Sequence, residues 1–75
     1  MWKVIYIAKD VSCAKNLEKI LKENGIATVL NQLEVGKDEF NGNVEILVPK
    51  RETQEAIDLI SQALIYNDNL LDDDN

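Results

Sequence analysis

The sequence has no histidine and only one cysteine, Cys13. Without histidine, the chain lacks the residue on which the common catalytic triads and many general acids and bases depend. A single cysteine closes no internal disulfide, and it does not supply the set of Cys and His ligands that a structural zinc site needs. We therefore expect no catalytic residue, no metal site and no cofactor in this chain.

Glycine, proline and long apolar runs are also scarce. The 75 residues include three Gly and one Pro, with 45% apolar and 29% charged residues, which is typical of a folded globular domain rather than a disordered or collagen-like chain. A chain of 8.5 kDa has room for one small domain. No apolar run approaches the roughly 18 residues that span a bilayer, and residues 1–5 lack the pattern of a signal peptide. We expect a single soluble domain in the cytoplasm.

Clustered basic residues are missing as well. Only Lys50 and Arg51 are adjacent bases, whereas phosphate backbones and anionic lipid surfaces attract clusters of Lys and Arg. We expect neither nucleic acid nor a membrane as a partner. The formal charge of -6 arises mostly near the C-terminus, because residues 1–67 hold 10 acids against 8 bases. Three consecutive aspartates would lie at the unfavourable end of a helix, so we expect a domain over residues 1–66 and a mobile acidic tail over 67–75.

The pattern of apolar residues predicts an α+β fold in the order β-α-β-β-α. The expected elements are strands β1, β2 and β3 over residues 2–8, 26–30 and 44–48, helix α1 over 11–24, and helix α2 from about residue 51. The apolar stripe expected on α2 consists of Ala56, Ile57, Ile60, Ala63 and Leu64. This order suggests a split β-α-β, ferredoxin-like arrangement in which β3 lies between β1 and β2 and both helices cover one face. Between β2 and β3, residues 32–43 have the composition of a turn-rich connection, and the position of the hairpin tip within it stays open.

Residues that favour helix ends mark both ends of α1. Asp10 and Ser12 are both suitable N-cap residues, and Gly25 stands where a residue in the left-handed conformation ends a helix. Glu18 and Lys22 are spaced for an ion pair on the solvated side.

Strand alternation divides the apolar residues between the two faces of the sheet. We expect the helix-covered face to carry Ile5, Ile7, Ala27, Val29, Val44, Ile46 and Val48. The uncovered face is then expected to carry Trp2, Val4, Tyr6, Thr28, Leu30 and Leu47.

An exposed apolar face with two aromatic residues is typical of an interaction surface. We therefore predict interaction residues Trp2, Val4, Tyr6 and Leu47, together with Phe40 of the connection. The expected partner is a second copy of the chain, bound through this face or along the β1 edge, with another protein as a further possibility. The alternative is that the C-terminal segment folds back over the face with Tyr66, Leu70 and Leu71.

Three other features have a functional and a structural interpretation. Cys13 in the first turn of α1 is placed where a helix favours the thiolate, but its spacing to Leu17 favours a small buried side chain. Glu34, Asp38 and Glu39, and separately residues 72–74, offer carboxylates for a divalent cation. The first group has no closed pocket or second ligand cluster, and residues 72–74 lack the spaced ligands and the turn glycine of a calcium loop, so solvated acidic segments are favoured.

The chain resembles a family of short bacterial signal-transducing proteins, a domain of unknown function with a PII-like fold. The resemblance covers roughly residues 2–64 and is carried by residues 2–8, the helix end from Leu17 to Gly25, and residues 44–49 before an acidic helix. It implies a regulatory role and brings no catalytic residues. PII regulators bind ATP between subunits through glycine-rich and basic loops, and here the one Gly-Lys pair is Gly36-Lys37.

Two function classes therefore stand side by side. The first is a non-enzymatic interaction or regulatory module that acts through the open sheet face. The second is a small-molecule or nucleotide sensor, or a small enzyme, with a site between subunits built from Lys50, Arg51 and the acidic connection. The lack of histidine and of a phosphate-binding glycine-rich turn favours the first.

Overall fold

A computed structural model describes the backbone of residues 1–35 and 39–73, and the side chains of residues 1–33 and 42–65. The elements follow one another as strand β1 (Trp2–Ala8), helix α1 (Val11–Glu23), strands β2 (Val29–Val35) and β3 (Glu39–Pro49), a short 3-10 turn (Lys50–Glu52) and helix α2 (Thr53–Asp73). The strands form one antiparallel sheet in the order β1-β3-β2. The predicted α+β class, element order and central position of β3 are confirmed.

Helix α1 begins and ends as its local signals predict. The side chain of Asp10 caps it, because Oδ1 accepts a hydrogen bond from the Cys13 N–H at 2.7 Å. At the other end Gly25 has a φ of 81°, a left-handed conformation that glycine adopts without steric cost. The predicted ion pair is present, with 3.0 Å between Lys22 Nζ and Glu18 Oε2.

The core lies between the sheet and the two helices. Both helices pack on β1 and β3, and the side chains they bury meet a row of aliphatic residues from β3. The buried core residues are Ala8, Ala14, Leu17, Leu21, Ile26, Val44, Ile46, Val48, Ala56 and Ile60. The inward orientation predicted for Val44, Ile46 and Val48 is confirmed. The molecule is therefore two layers thick, and its shortest dimension is 16 Å.

The predicted orientation of β1 is wrong in its second half. Val4 lies opposite Leu47, but Tyr6 lies opposite Ile46, so Ile5 is an extra residue that makes a β-bulge. The bulge reverses the alternation. Tyr6 packs against the core, whereas Ile7 is 51% exposed on the other face.

The predicted orientation of β2 is also wrong. Leu30 pairs with the core residue Ile46 and Thr28 is buried, while Ala27 and Val29 are exposed. The strand begins at Val29 rather than at Ile26, and Ile26 instead packs into the core below the helix end. The Thr28 hydroxyl donates a hydrogen bond to the Ile26 carbonyl at 3.0 Å, which satisfies the polar group in this buried position.

Strands β2 and β3 are longer than predicted. Much of the supposed connection over residues 32–43 belongs to them, and only residues 36–38, which lie outside the described part, stand between the two strands. The ladder shifts register past Gln32, and Gly42 in the opposing segment has a φ of 91°. Gly42 thus marks an irregularity within a strand rather than a turn between strands.

Helix α2 begins at Thr53 and buries a slightly different stripe from the predicted one. Ala56 and Ile60 are in the core, and Leu59, Ala63 and Leu64 pack against it, but Ile57 is 38% exposed. The backbone stays helical past Tyr66 to Asp73, so it does not turn back across the sheet before that residue. The mobility of residues 67–75 stays a prediction, since their side chains lie outside the described residues.

Candidate functional site: the open sheet face

The face of the sheet opposite the helices carries a continuous group of apolar side chains. Leu47 stands at its centre on β3, opposite Val4 of β1 on one side and Val29 of β2 on the other. Four members are strongly exposed: Trp2 by 49%, Val4 by 39%, Ile7 by 51% and Val29 by 43%. We call Trp2, Val4, Ile7, Val29 and Leu47 the open-face patch.

A polar pair borders the patch along β3. Glu45 lies opposite Ile7 on one side and Asn31 on the other, and Asn31 Nδ2 donates a hydrogen bond to Glu45 Oε1 at 2.9 Å. Glu45 is only partly exposed, and it places a negative charge on an otherwise apolar face. The face is therefore apolar at the end where β1 begins and polar farther along.

Positive charge gathers at the end of the sheet where β1 begins and β3 stops. The Lys50 N–H donates a hydrogen bond to the Met1 carbonyl at 2.8 Å, which places Lys50 and Arg51 beside the start of β1. The Thr53 hydroxyl donates to the Lys50 carbonyl at 2.7 Å and fixes the turn into α2. Met1, Pro49, Lys50 and Arg51 line an open depression of about 520 Å³ here.

The basic end and the acidic connection lie far apart within one chain. Glu34 and Glu39 stand at the hairpin end of the β2–β3 ladder, and the length of β3 separates this end from Lys50 and Arg51. A single copy therefore does not bring together the two groups that were expected to form a ligand site.

The structure changes the membership of the predicted interaction surface. Trp2, Val4 and Leu47 lie on the open face, but Tyr6 points to the core because of the bulge at Ile5. Ile7 and Val29 take part instead, and sequence alternation missed both. The side chain of Phe40 lies outside the described residues. The role of each residue in binding stays a prediction.

Cys13 packs as a structural residue. It lies in the first turn of α1, is partly buried and contacts the core. Its backbone N–H is committed to the Asp10 cap. This placement agrees with the interpretation as a small buried side chain.

Other candidate sites find no support in the described part of the chain. Among these residues, no three His, Cys, Asp or Glu side chains converge as metal ligands. The side chains of Glu34, Glu39, Asp72 and Asp73, and all of Asp38 and Asp74, lie outside them. Neither helix, over its described residues, has a stretch of apolar sequence that would cross a bilayer.

The open-face patch is thus the described surface whose composition points most clearly to a function. Comparisons with protein-family models, with curated proteins and with solved structures found no match, so the patch is interpreted from its own geometry and chemistry.

Proposed function

We propose that this protein is a non-enzymatic interaction and regulatory module that acts by binding a second copy of itself through the open-face patch. The observation that carries the proposal is the exposure of four large apolar side chains, each by 39 to 51%, around Leu47 on one face of the sheet. Contiguous apolar surface of this kind usually marks a binding site. Trp2 adds the residue type most enriched in the energetic centres of interfaces.

The size of the face supports a weak, reversible contact. Three strands about 4.8 Å apart and seven residues long, at about 3.3 Å per residue, cover roughly 330 Å². Stable interfaces remove about 800 Å² of accessible surface per partner, so this contact stands toward the small end of the range. We expect micromolar self-association, which suits a regulatory equilibrium.

A second copy is the occupant that the fold favours. Helix α2 runs as one helix from the covered face to Asp73, so its backbone does not supply a lid for the open face. The β1 edge is a poorer template for pairing, because the bulge at Ile5 interrupts its row of backbone groups. The open face carries the apolar patch on one continuous sheet, so a two-fold axis would pair it with its own copy and close the assembly.

Sedimentation of the wild type beside a matched pair of variants tests the proposal. Val4 and Ile57 are aliphatic and equally exposed, at 39% and 38%, but Val4 lies on the open face and Ile57 on α2. Val4→Glu is expected to weaken self-association at least about tenfold, since a charge buried against an apolar partner is costly. Ile57→Glu is expected to leave it unchanged. A wild type that stays monomeric at high micromolar concentration would refute the proposal.

The depression at the basic end favours a second candidate function, a sensor of an anionic small molecule or nucleotide. Lys50 and Arg51 line it beside Met1, and a partner's acidic segment would complete a site between subunits. Thermal unfolding in the presence of ATP, ADP or inorganic phosphate tests this candidate, because a ligand that binds the folded state raises the Tm in a saturable way. A Tm that does not depend on these ligands rejects it.

The proposed role is that of the signal-transducing family that the chain resembles. We propose membership in that family on the residues that carry the resemblance, from Trp2 to Ala8 and from Val44 to Pro49. The support is the β-α-β-β-α order of the structure, which agrees with the PII-like fold that the resemblance implies, although fold alone does not fix function. The self-association experiment is therefore the decisive test of the role.

A further inference from the structure

The charges around the open-face patch are arranged so that they distinguish between the possible two-fold contacts. Glu45 lies on β3 two residues before the central Leu47. Lys50 and Arg51 come three and four residues after Leu47, just past the end of the strand. Each copy thus presents a negative group and a positive group on opposite sides of the patch centre.

Two copies that pack face to face are related by an axis that lies between the sheets. With the axis parallel to the strands, the two β3 strands run in the same direction, and Lys50 and Arg51 of one copy approach the same residues of the other. With the axis perpendicular to the strands, the β3 strands run in opposite directions, and Lys50 and Arg51 approach Glu45 of the other copy. Like charges across an interface are strongly unfavourable, and opposite charges set the register.

We propose that the second copy binds with its β3 strand antiparallel to the first, with the two Leu47 side chains meeting at the two-fold axis. Val4 and Val29 of each copy then flank the axis, because both lie opposite Leu47 in their own sheet. The basic end of each copy lies over Glu45, and the hairpin end with Glu34 and Glu39 extends beyond it on the same side. This arrangement rests on the self-association proposed above and specifies its geometry.

The arrangement also accounts for the position of a charged residue on an apolar face. Glu45 is partly buried in the single chain, and its carboxylate accepts a hydrogen bond from Asn31. A carboxylate has room for further donors, and Lys50 or Arg51 of the second copy supplies them. Glu45 therefore sets the direction of the contact, and the aliphatic residues supply its affinity.

Complementary charge reversal tests the arrangement. The first variant is the double change Lys50→Glu with Arg51→Glu, and the second is Glu45→Lys. A two-fold dimer contains two contacts in which residues 50 and 51 of one copy face residue 45 of the other, and we call these contacts the junctions. Each variant alone is expected to weaken self-association about tenfold, because both junctions then join like charges. Mixed in equal amounts, the two variants are expected to form a one-to-one complex of near wild-type affinity, since both junctions again join opposite charges. Native mass spectrometry identifies the mixed species by its mass, and sedimentation measures its affinity.

Glu23→Lys is the matched control, because it makes the same change in net charge at an exposed position on α1. It is expected to bind the first variant more weakly than Glu45→Lys does, because one of the two junctions still joins like charges. If the control restores association as well as Glu45→Lys does, or if the mixture of the two variants stays dissociated, the antiparallel arrangement is overturned while self-association stands. A monomeric wild type overturns both proposals.

A milder set of variants covers the case in which Glu45→Lys fails to fold. Glu45→Gln keeps an oxygen that accepts the hydrogen bond from Asn31, and Lys50→Gln with Arg51→Gln removes the opposite charges. In a double-mutant cycle on the self-association constant, the antiparallel arrangement predicts a coupling of about threefold or more between the two sites. Within one chain the two sites are about five residues, or roughly 16 Å, apart, so they couple weakly there. Additive effects would therefore refute the antiparallel arrangement.

Discussion

Tyr6 lies opposite Ile46 on the helix-covered face, although Val4, only two residues earlier, lies opposite Leu47 on the open face. Residues two apart in a regular strand share a face, so the extra residue at Ile5 is what separates them. As a result, the ring of Tyr6 packs against the core, and the side chain of Ile7 lies in the open-face patch.

Alanine variants of these neighbours are expected to differ in their effect on stability. Tyr6→Ala should lower the free energy of unfolding by about 2 to 3 kcal/mol, because it leaves a gap beside the core. Ile7→Ala should lower it by less than about 1 kcal/mol, because the side chain is half exposed. Urea unfolding of both variants measures the difference. The reverse order would show that β1 alternates without a bulge.

The two left-handed glycines are expected to tolerate a methyl group differently. At Gly25 an added Cβ meets no atom within 4 Å, so Gly25→Ala should cost about 1 kcal/mol for its backbone conformation alone. At Gly42 the added Cβ would lie 3.1 Å from the Lys9 carbonyl oxygen, so Gly42→Ala should cost more, about 2 kcal/mol or above. Chemical denaturation of both variants checks the order. Equal losses of unfolding free energy would mean that the backbone around Gly42 shifts to accommodate the added methyl group.

The thiol of Cys13 is expected to be slow to react in the folded protein. It is partly buried against the core, so a disulfide reagent should modify it much faster after unfolding than before. Cys13→Ala should lower the free energy of unfolding by about 1 kcal/mol and leave self-association unchanged. Absorbance of the released thiolate follows the reaction. Rapid modification of the native protein at neutral pH would instead indicate a redox site.

Removal of residues 67–75 is expected to change the Tm by only a few degrees. The segment carries four aspartates, three of them consecutive, near the helix end where the macrodipole disfavours negative charge. Its two leucines are therefore expected to add little net stability. Thermal unfolding of the full chain and of residues 1–66 makes the comparison. A fall of more than about 10 °C would show that Leu70 and Leu71 pack against the domain.

Local signals were sufficient to predict several elements from the sequence. The run of β-branched and aromatic residues marked β1 at its observed bounds, Trp2–Ala8. Asp10 and Gly25 marked the ends of α1, since a cap depends on the residue at the helix end and on its own backbone conformation. The order of elements then placed β3 in the middle of the sheet.

Composition misled the prediction where pairing with another strand overrides local preference. Asn41, Gly42 and Asn43 are typical of turns, yet they lie within β3, because the strand pairing on both sides of them, at Phe40 and at Val44, outweighs the weak preference of a few residues. On α2, the stripe that included Ile57 shifted by part of a turn, because the helix orients by its contacts with the sheet.

By itself, therefore, the sequence determined that two helices cover one face of a three-stranded sheet and leave an apolar face open, since those properties follow from the periodicity of apolar residues and from caps. Only the tertiary structure decided which residues form that face. The side-chain period of a strand is two, so one bulge at Ile5 exchanges Tyr6 for Ile7, and the register of β2 against β3 brings Val29 rather than Leu30 beside Leu47. That choice depends on how the strands pair, which no residue of either strand specifies alone.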